Sequence, residues 1–156
     1  MTSDAETPIQ ALKERIAEFA REREWEQFHS PKNLSMALAV EAAELMELFQ
    51  WKTEQETVNL RGNQKVFRRV REEIADVAVY LLNLCNRLDI DLAIAVVEKL
   101  AQNARKYPSD LVRGTNVKYT DLSPTASVSQ WRQLAFDLDE VVDSELNTDP
   151  LVVEGR

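Results

Sequence analysis

Residues 65–88 constrain the fold most, because apolar residues recur through this segment at helical spacing without a glycine or proline. An uninterrupted period of three and four residues predicts one long α-helix. The whole chain has only three glycines and five prolines in 156 residues. Its other apolar runs are rich in Ala, Leu, Glu and Arg, which favour helices, and the repeated turns of a β-sandwich are missing. The sequence therefore predicts an all-α fold.

The same periods and their flanking residues predict four helices. They cover residues 9–24 behind a Thr7-Pro8 cap, 31–51 behind Ser30, 65–88, and a stretch that Asp91 caps and that ends near residue 107. Residues 52–64 are polar and contain Gly62, so they are predicted to form a loop. Four helices with short connections indicate a bundle-like core.

Charge is distributed unevenly along the chain. From residue 120 onward eight acids face two arginines, a balance of −6 out of the total of −8. We expect one all-α domain over residues 1–122 and an acidic C-terminal extension over residues 123–156, either a short helix or disordered. The negative charge argues against a nucleic-acid polymer as partner.

Apolar runs are too short for a membrane span. The single Cys85 and the absence of signal-peptide features predict a cytoplasmic protein.

Two pairs of acids lie within the predicted apolar helices. Glu41 and Glu44 share one helix face, as do Glu73 and Asp76 on the third helix. Apolar residues surround the second pair on most sides, so we expect this helix and its two acids to be largely buried. If the two helices pack antiparallel, four carboxylates meet, and Mg²⁺ is the hard cation that would relieve their repulsion. Alternatively, each pair is a solvated face that forms surface ion pairs.

Aromatic residues form a second constellation. Trp25, Phe28 and His29 precede the second helix, Trp51 ends it, and Tyr80 lies one turn beyond Asp76. Such side chains can stack on a nucleobase, although Trp25 and Phe28 could equally hold a helix junction together and His29 could be structural. On the fourth helix a polar stripe of Lys99, Asn103, Lys106 and Tyr107 could neutralise phosphates or simply be solvated.

Several motifs occur here in the order found in one family. EAAE at residues 41–44, LFQW after it and EIAD at residues 73–76 resemble the E-x-x-E and E-x-x-D signature of the MazG-like all-α nucleoside triphosphate pyrophosphohydrolases. WEQFHSPKNL, ELFQWK, the N-x-x-K-Y-P run at residues 103–108 and KYTDL at residues 118–122 are most similar to the dCTP pyrophosphatase branch. The similarity covers roughly residues 9–122 and leaves out the acidic extension.

The resemblance implies a set of site residues and partners. It implies that Mg²⁺ is the cofactor, that the chain is a homo-oligomer, dimeric or tetrameric, and that Glu47 and Glu72 lie outside the metal's ligands. The implied catalytic and metal-binding residues are Glu41, Glu44, Glu73 and Asp76. The implied substrate-binding residues are Trp25, Glu26, Gln27, Phe28, His29, Trp51, Tyr80, Asn103 and Lys106.

The resemblance also implies an activity. It is Mg²⁺-dependent cleavage of a deoxynucleoside triphosphate, dCTP or a modified dCTP, into the monophosphate and pyrophosphate. Related animal enzymes carry a histidine where this chain has Ile16, which leaves the base preference open. Two alternatives remain: a broader pyrophosphatase for non-standard nucleotides including dUTP, and a helical oligomerisation module that senses nucleotides without turnover.

Overall fold

The computed structural model describes residues 3–121, and in this part of the chain all regular secondary structure is helical. The predicted all-α fold class is therefore confirmed. The α-helices are α1 Ile9–Arg21, α2 Pro31–Glu47, α3 Glu54–Val58, α4 Gln64–Leu88, α5 Leu92–Lys106 and α6 Ser109–Val112. Single 3₁₀ turns lie at Trp25–Gln27, Leu60–Gly62 and Tyr119–Asp121. None of the described helices is both long and apolar enough to cross a bilayer. The acidic extension predicted over residues 123–156 lies outside the described residues.

Two of the predicted helix caps are confirmed and one is wrong. The Ser30 side chain accepts a hydrogen bond from the Asn33 backbone N–H, and Asp91 Oδ1 accepts one from the Ile94 N–H at 3.0 Å. Thr7 does not cap α1, because Pro8 occupies the N-cap position and no side chain bonds the first turn. The Pro8 backbone carbonyl accepts hydrogen bonds from the Ala11 and Leu12 N–H groups.

Two predicted helix ends extend too far. The first helix was expected to reach Glu24, but α1 ends at Arg21, and Glu24 adopts a left-handed conformation with φ 53°. The second was expected to reach Trp51, but α2 ends at Glu47. The chain then turns, with the Phe49 and Gln50 N–H groups both bonded to the Met46 carbonyl. Trp51 therefore does not lie on a helix.

By its internal contacts the chain divides into two compact units, one ending at Val97 and the other beginning at Glu98. In the first unit α2 packs most extensively against α4, and α1 also packs against α4. The buried apolar side chains come from these three helices: Ala20, Leu34, Val70, Leu82 and Cys85. The long helix α4 is thus the element that aligns residues of α1 and α2 with its own.

The expectation that the third predicted helix is buried on most sides is wrong for the described chain. On α4, Ile74 is 52% exposed, Val79 40% and Leu88 49%. The reason is geometric: among the helices of its unit, α4 packs mainly against α1 and α2, which leaves other apolar sides of it uncovered.

Candidate active site

Three of the four predicted acidic residues come together where α2 packs on α4. One carboxylate oxygen from each of Glu41, Glu73 and Asp76 lies within 4.8 Å of the others. Glu41 and Glu73 are half-buried, and Asp76 is exposed. We call these three residues the acidic cluster. Glu44, one turn along α2 from Glu41, is exposed and lies outside this close group.

The electrostatics of the acidic cluster are those of crowded negative charges. Burial raises the pKa of the Glu41 carboxyl above its ordinary value of 4.5, and the charges of Glu44, Asp76 and Glu73 raise this pKa further. Within residues 3–121, none of the three cluster acids forms an ion pair with lysine or arginine. Several oxygen ligands without a protein cation are the donor set that Mg²⁺ accepts. The residues therefore fit a hard divalent cation.

A cleft of about 590 Å³ lies beside the acidic cluster, within the range of small-molecule sites. Asp76 lines this cleft and also belongs to the cluster. Three of the predicted substrate-binding residues line it as well: Trp25, His29 and Tyr80. A ligand in the cleft can therefore place a flat ring against aromatic side chains while its charged end reaches the carboxylates.

Ring contacts order the aromatic wall of the cleft. Trp25 packs edge-on against Phe19, with ring centroids 5.9 Å apart, and against His29, with centroids 6.2 Å apart. His29 is also tied to α4, since its Nδ1 lies 3.0 Å from the Asn83 side-chain nitrogen. Trp25 thus packs at the helix junction and lines the cleft at the same time. Its two predicted roles are therefore compatible.

Four other predicted substrate-binding residues are not part of the cleft wall. Glu26 and Gln27 lie in the exposed 3₁₀ turn, where Gln27 donates a hydrogen bond to the Glu24 carbonyl. Phe28 is 59% exposed and Trp51 is 87% exposed. The Trp51 indole therefore has few contacts within the described chain.

The remaining predicted residues, Asn103 and Lys106, belong to the second unit. There Lys106 Nζ lies 5.4 Å from the centre of the Tyr119 ring, and Tyr107 packs edge-on against the same ring. A contact of these residues with phosphate stays a prediction.

The cleft also contains residues that were not predicted as site residues. Arg15 and Phe19 from α1 and Asn83 from α4 line it, together with Ile16. Asn83 carried a visible signal, because it follows Glu73, Asp76 and Tyr80 along one polar line of the helix. Arg15 carried none, since a lone arginine on an amphipathic helix is ordinarily a solvated residue.

Known proteins that are similar to this chain identify the class to which it belongs. A family model described as the MazG-like family matches residues 36–122. The human protein dCTP pyrophosphatase 1 is 42% identical over 125 residues, which cover 80% of this chain and 73% of the human protein. The Bos taurus protein of the same name is 43% identical over 118 residues, covering 76% of this chain and 70% of the bovine one.

A solved structure shares the fold. The crystal structure of a pyrophosphatase from Archaeoglobus fulgidus aligns with a TM-score of 0.60 and 38% sequence identity, and it covers 69% of this chain and 99% of the archaeal one. An all-α chain with these relatives is a nucleoside triphosphate pyrophosphohydrolase by class. The protein belongs to the MazG-like family.

Proposed function

We propose that this protein hydrolyses deoxynucleoside triphosphates to the monophosphate and pyrophosphate, with dCTP or a modified dCTP as its preferred substrate. The observation that carries the proposal is the position of Asp76, which belongs both to the acidic cluster and to the aromatic cleft. A nucleotide whose base fills the cleft thereby has its phosphates directed to the carboxylates. The names of the relatives at 42% and 43% identity support the choice of dCTP.

In this proposal Glu41, Glu73 and Asp76 hold Mg²⁺ with Glu44, whose charge already acts on Glu41. When bound, the cation neutralises negative charge on the phosphate oxygens. The chain's own part is to orient the triphosphate and the attacking water beside the cluster. A carboxylate of this acidic set accepts the proton of that water as general base.

The aromatic residues divide into two groups. Trp25, His29 and Tyr80 bind the base and sugar from within the cleft of one chain. Phe28 and Trp51, with Glu26 and Gln27, act from positions outside that cleft wall, and we propose that they complete the site of a neighbouring subunit. From the resemblance alone we propose that Asn103 and Lys106 bind phosphate. The cytoplasmic location stays a prediction.

The proposed homo-oligomer is supported by the apolar surface that the single chain leaves exposed. On α2, Met36 is 60% exposed, Val40 54% and Met46 69%. These three residues and Ala43 lie on one side of the helix, because their spacings are three and four residues. A continuous apolar stripe of this kind marks a protein contact more often than a free surface. We call these four residues the α2 stripe.

The test is a panel of deoxynucleoside triphosphates, each incubated with Mg²⁺ or with EDTA, followed by separation of the products. We expect the monophosphate and pyrophosphate, no turnover in EDTA, and the highest kcat/KM for dCTP or 5-methyl-dCTP. A higher kcat/KM for dUTP would replace the dCTP assignment with the broader non-standard nucleotide pyrophosphatase. Binding of nucleotides without product formation would instead establish the non-catalytic sensing module.

A further inference from the structure

The contact between Asn83 and His29 joins residues 54 positions apart in the sequence. The Asn83 side-chain nitrogen lies 3.0 Å from His29 Nδ1, and both residues line the cleft. Asn83 is 6% exposed and is the buried polar residue of the described chain. His29 is the only histidine in the sequence. The pair therefore links the connector before α2 to the middle of α4 at the wall of the candidate active site.

The donor chemistry of this contact determines where the histidine carries its proton. The Asn83 amide is oriented with its NH₂ group toward the ring, and because NH₂ has hydrogens to donate and no lone pair to offer, His29 Nδ1 is the acceptor in this orientation. In the neutral ring the proton then resides on Nε2. No other residue of the described chain hydrogen-bonds Nε2, and no buried side-chain nitrogen or oxygen there lacks a partner. The Nε2–H group is thus accessible and free to donate to a ligand.

A purely structural origin of the contact accounts for it less well. Burying an amide beside a helix carries a desolvation cost, whereas leucine would fill the same place without that cost. α4 already has a polar tie of this kind one turn later. There the Asn86 side chain donates to the Lys13 carbonyl at 2.9 Å and fastens α4 to α1, outside the cleft lining.

We propose that Asn83 is a positioning residue that fixes His29 as the Nε2–H tautomer, so that the cleft presents a hydrogen-bond donor to the bound base. The ligand edge that this donor selects carries an acceptor, which a pyrimidine offers as a carbonyl oxygen or as an unprotonated ring nitrogen. The ligand part of this inference rests on the proposed function. The tautomer part does not, because it concerns the free protein.

Nitrogen-15 NMR of the imidazole reports the tautomer directly, and the single histidine makes the assignment unambiguous. Spectra are recorded at about pH 9, more than two units above the ordinary histidine pKa of about 6.5, without nucleotide. We expect a protonated Nε2 and an unprotonated Nδ1 in the wild type. In Asn83→Asp the carboxylate can only accept, so the proton should move to Nδ1. A wild-type ring protonated on Nδ1 would overturn the proposal.

Two variants of Asn83 separate positioning from structural support. Asn83→Asp keeps a hydrogen bond to His29 but reverses the tautomer, whereas Asn83→Leu loses the bond without reversing it. Deoxycytidine is the probe, because it has no phosphates to be repelled by the new carboxylate, and its binding is measured at about pH 9, as for the spectra. We expect Asn83→Asp to weaken deoxycytidine binding about five- to tenfold, the worth of one hydrogen bond, and Asn83→Leu to weaken it less. The reverse order would show that the contact is only structural.

Asn86→Leu is the matched control, since it removes the other polar tie of α4 without touching the cleft. We expect it to lower the melting temperature while leaving the His29 tautomer and deoxycytidine binding unchanged. Failure of the wild type to bind deoxycytidine would overturn the base contact. A correct tautomer in a protein that hydrolyses none of the nucleotides would instead remove the proposed function and leave the tautomer assignment standing.

Discussion

At the scale of single residues, Glu41 shows how the candidate active site is balanced between charge and burial. Its carboxyl pKa is raised chiefly by burial and further by three neighbouring acids. The folded protein therefore retains the Glu41 proton to a higher pH than the unfolded chain does. In the metal-free protein this contribution to stability is present below pH 4.5 and is lost as the pH rises through the raised pKa.

Glu41→Gln removes that loss, because glutamine does not ionise. We expect its melting temperature at pH 7 in EDTA to exceed that of the wild type by roughly 1–3 °C, and the difference to vanish near pH 4. Glu47→Gln is the control, since Glu47 is exposed on the same helix and outside the acidic cluster. A lower melting temperature for Glu41→Gln at pH 7 would contradict the electrostatic account.

At the scale of elements, local chemistry predicts helix existence better than helix ends. Ser30 and Asp91 were identifiable as caps from the sequence, and both act as caps. Helix α3 was missed although its signal was present, since Thr53 and Glu56 form a reciprocal capping box with bonds of 2.8 and 3.4 Å. The end of α2 carried no such signal, because apolar residues continue the helical period up to Trp51.

The end of α4 gives a prediction at this scale. Asp89 follows the last helical residue in a left-handed conformation, with φ 53° and ψ 42°, and glycine adopts this conformation without steric cost. Its negative charge also lies at the unfavourable end of the helix dipole. We expect Asp89→Gly to raise the free energy of unfolding by about 0.5–1 kcal/mol in urea denaturation.

Asp91→Ala should have the opposite effect. Asp91 is also an exposed acid, but it caps α5, so its loss should cost about 1 kcal/mol. If Asp89→Gly were as destabilising as Asp91→Ala, the left-handed conformation of Asp89 would not be a source of strain.

At the scale of the whole molecule, the described chain leaves many large apolar side chains exposed. The α2 stripe is the clearest case, and the uncovered sides of α4 are another. If a second copy covers the α2 stripe, Met36→Glu should shift the protein to a smaller species in light scattering after gel filtration. Ser35→Glu, at an exposed position about 100° around the helix from Met36 and outside the four stripe residues, should not. An unchanged mass for Met36→Glu would place the subunit contact elsewhere.

The acidic half of the candidate site could be predicted from the sequence more fully than the aromatic half. Glu41, Glu73 and Asp76 could be grouped because helical spacing fixes which acids share a face, although spacing alone did not set the register between the two helices. The aromatic half could not be predicted as fully. The exposed position of Trp51 follows from the end of α2 at Glu47, which the sequence did not reveal. The Asn83–His29 contact spans 54 residues, a separation that no local pattern encodes.

The most direct test of the central claim is phosphorus-31 NMR of dCTP incubated with Mg²⁺ and either the wild-type protein or Asp76→Asn. Asp76 is the residue shared by the acidic cluster and the cleft, and asparagine keeps its size while removing its charge. We predict signals of dCMP and pyrophosphate for the wild type, and at least a hundredfold slower turnover by a variant with an unchanged circular dichroism spectrum. Orthophosphate and dCDP from the wild type, or full activity in Asp76→Asn, would contradict the account.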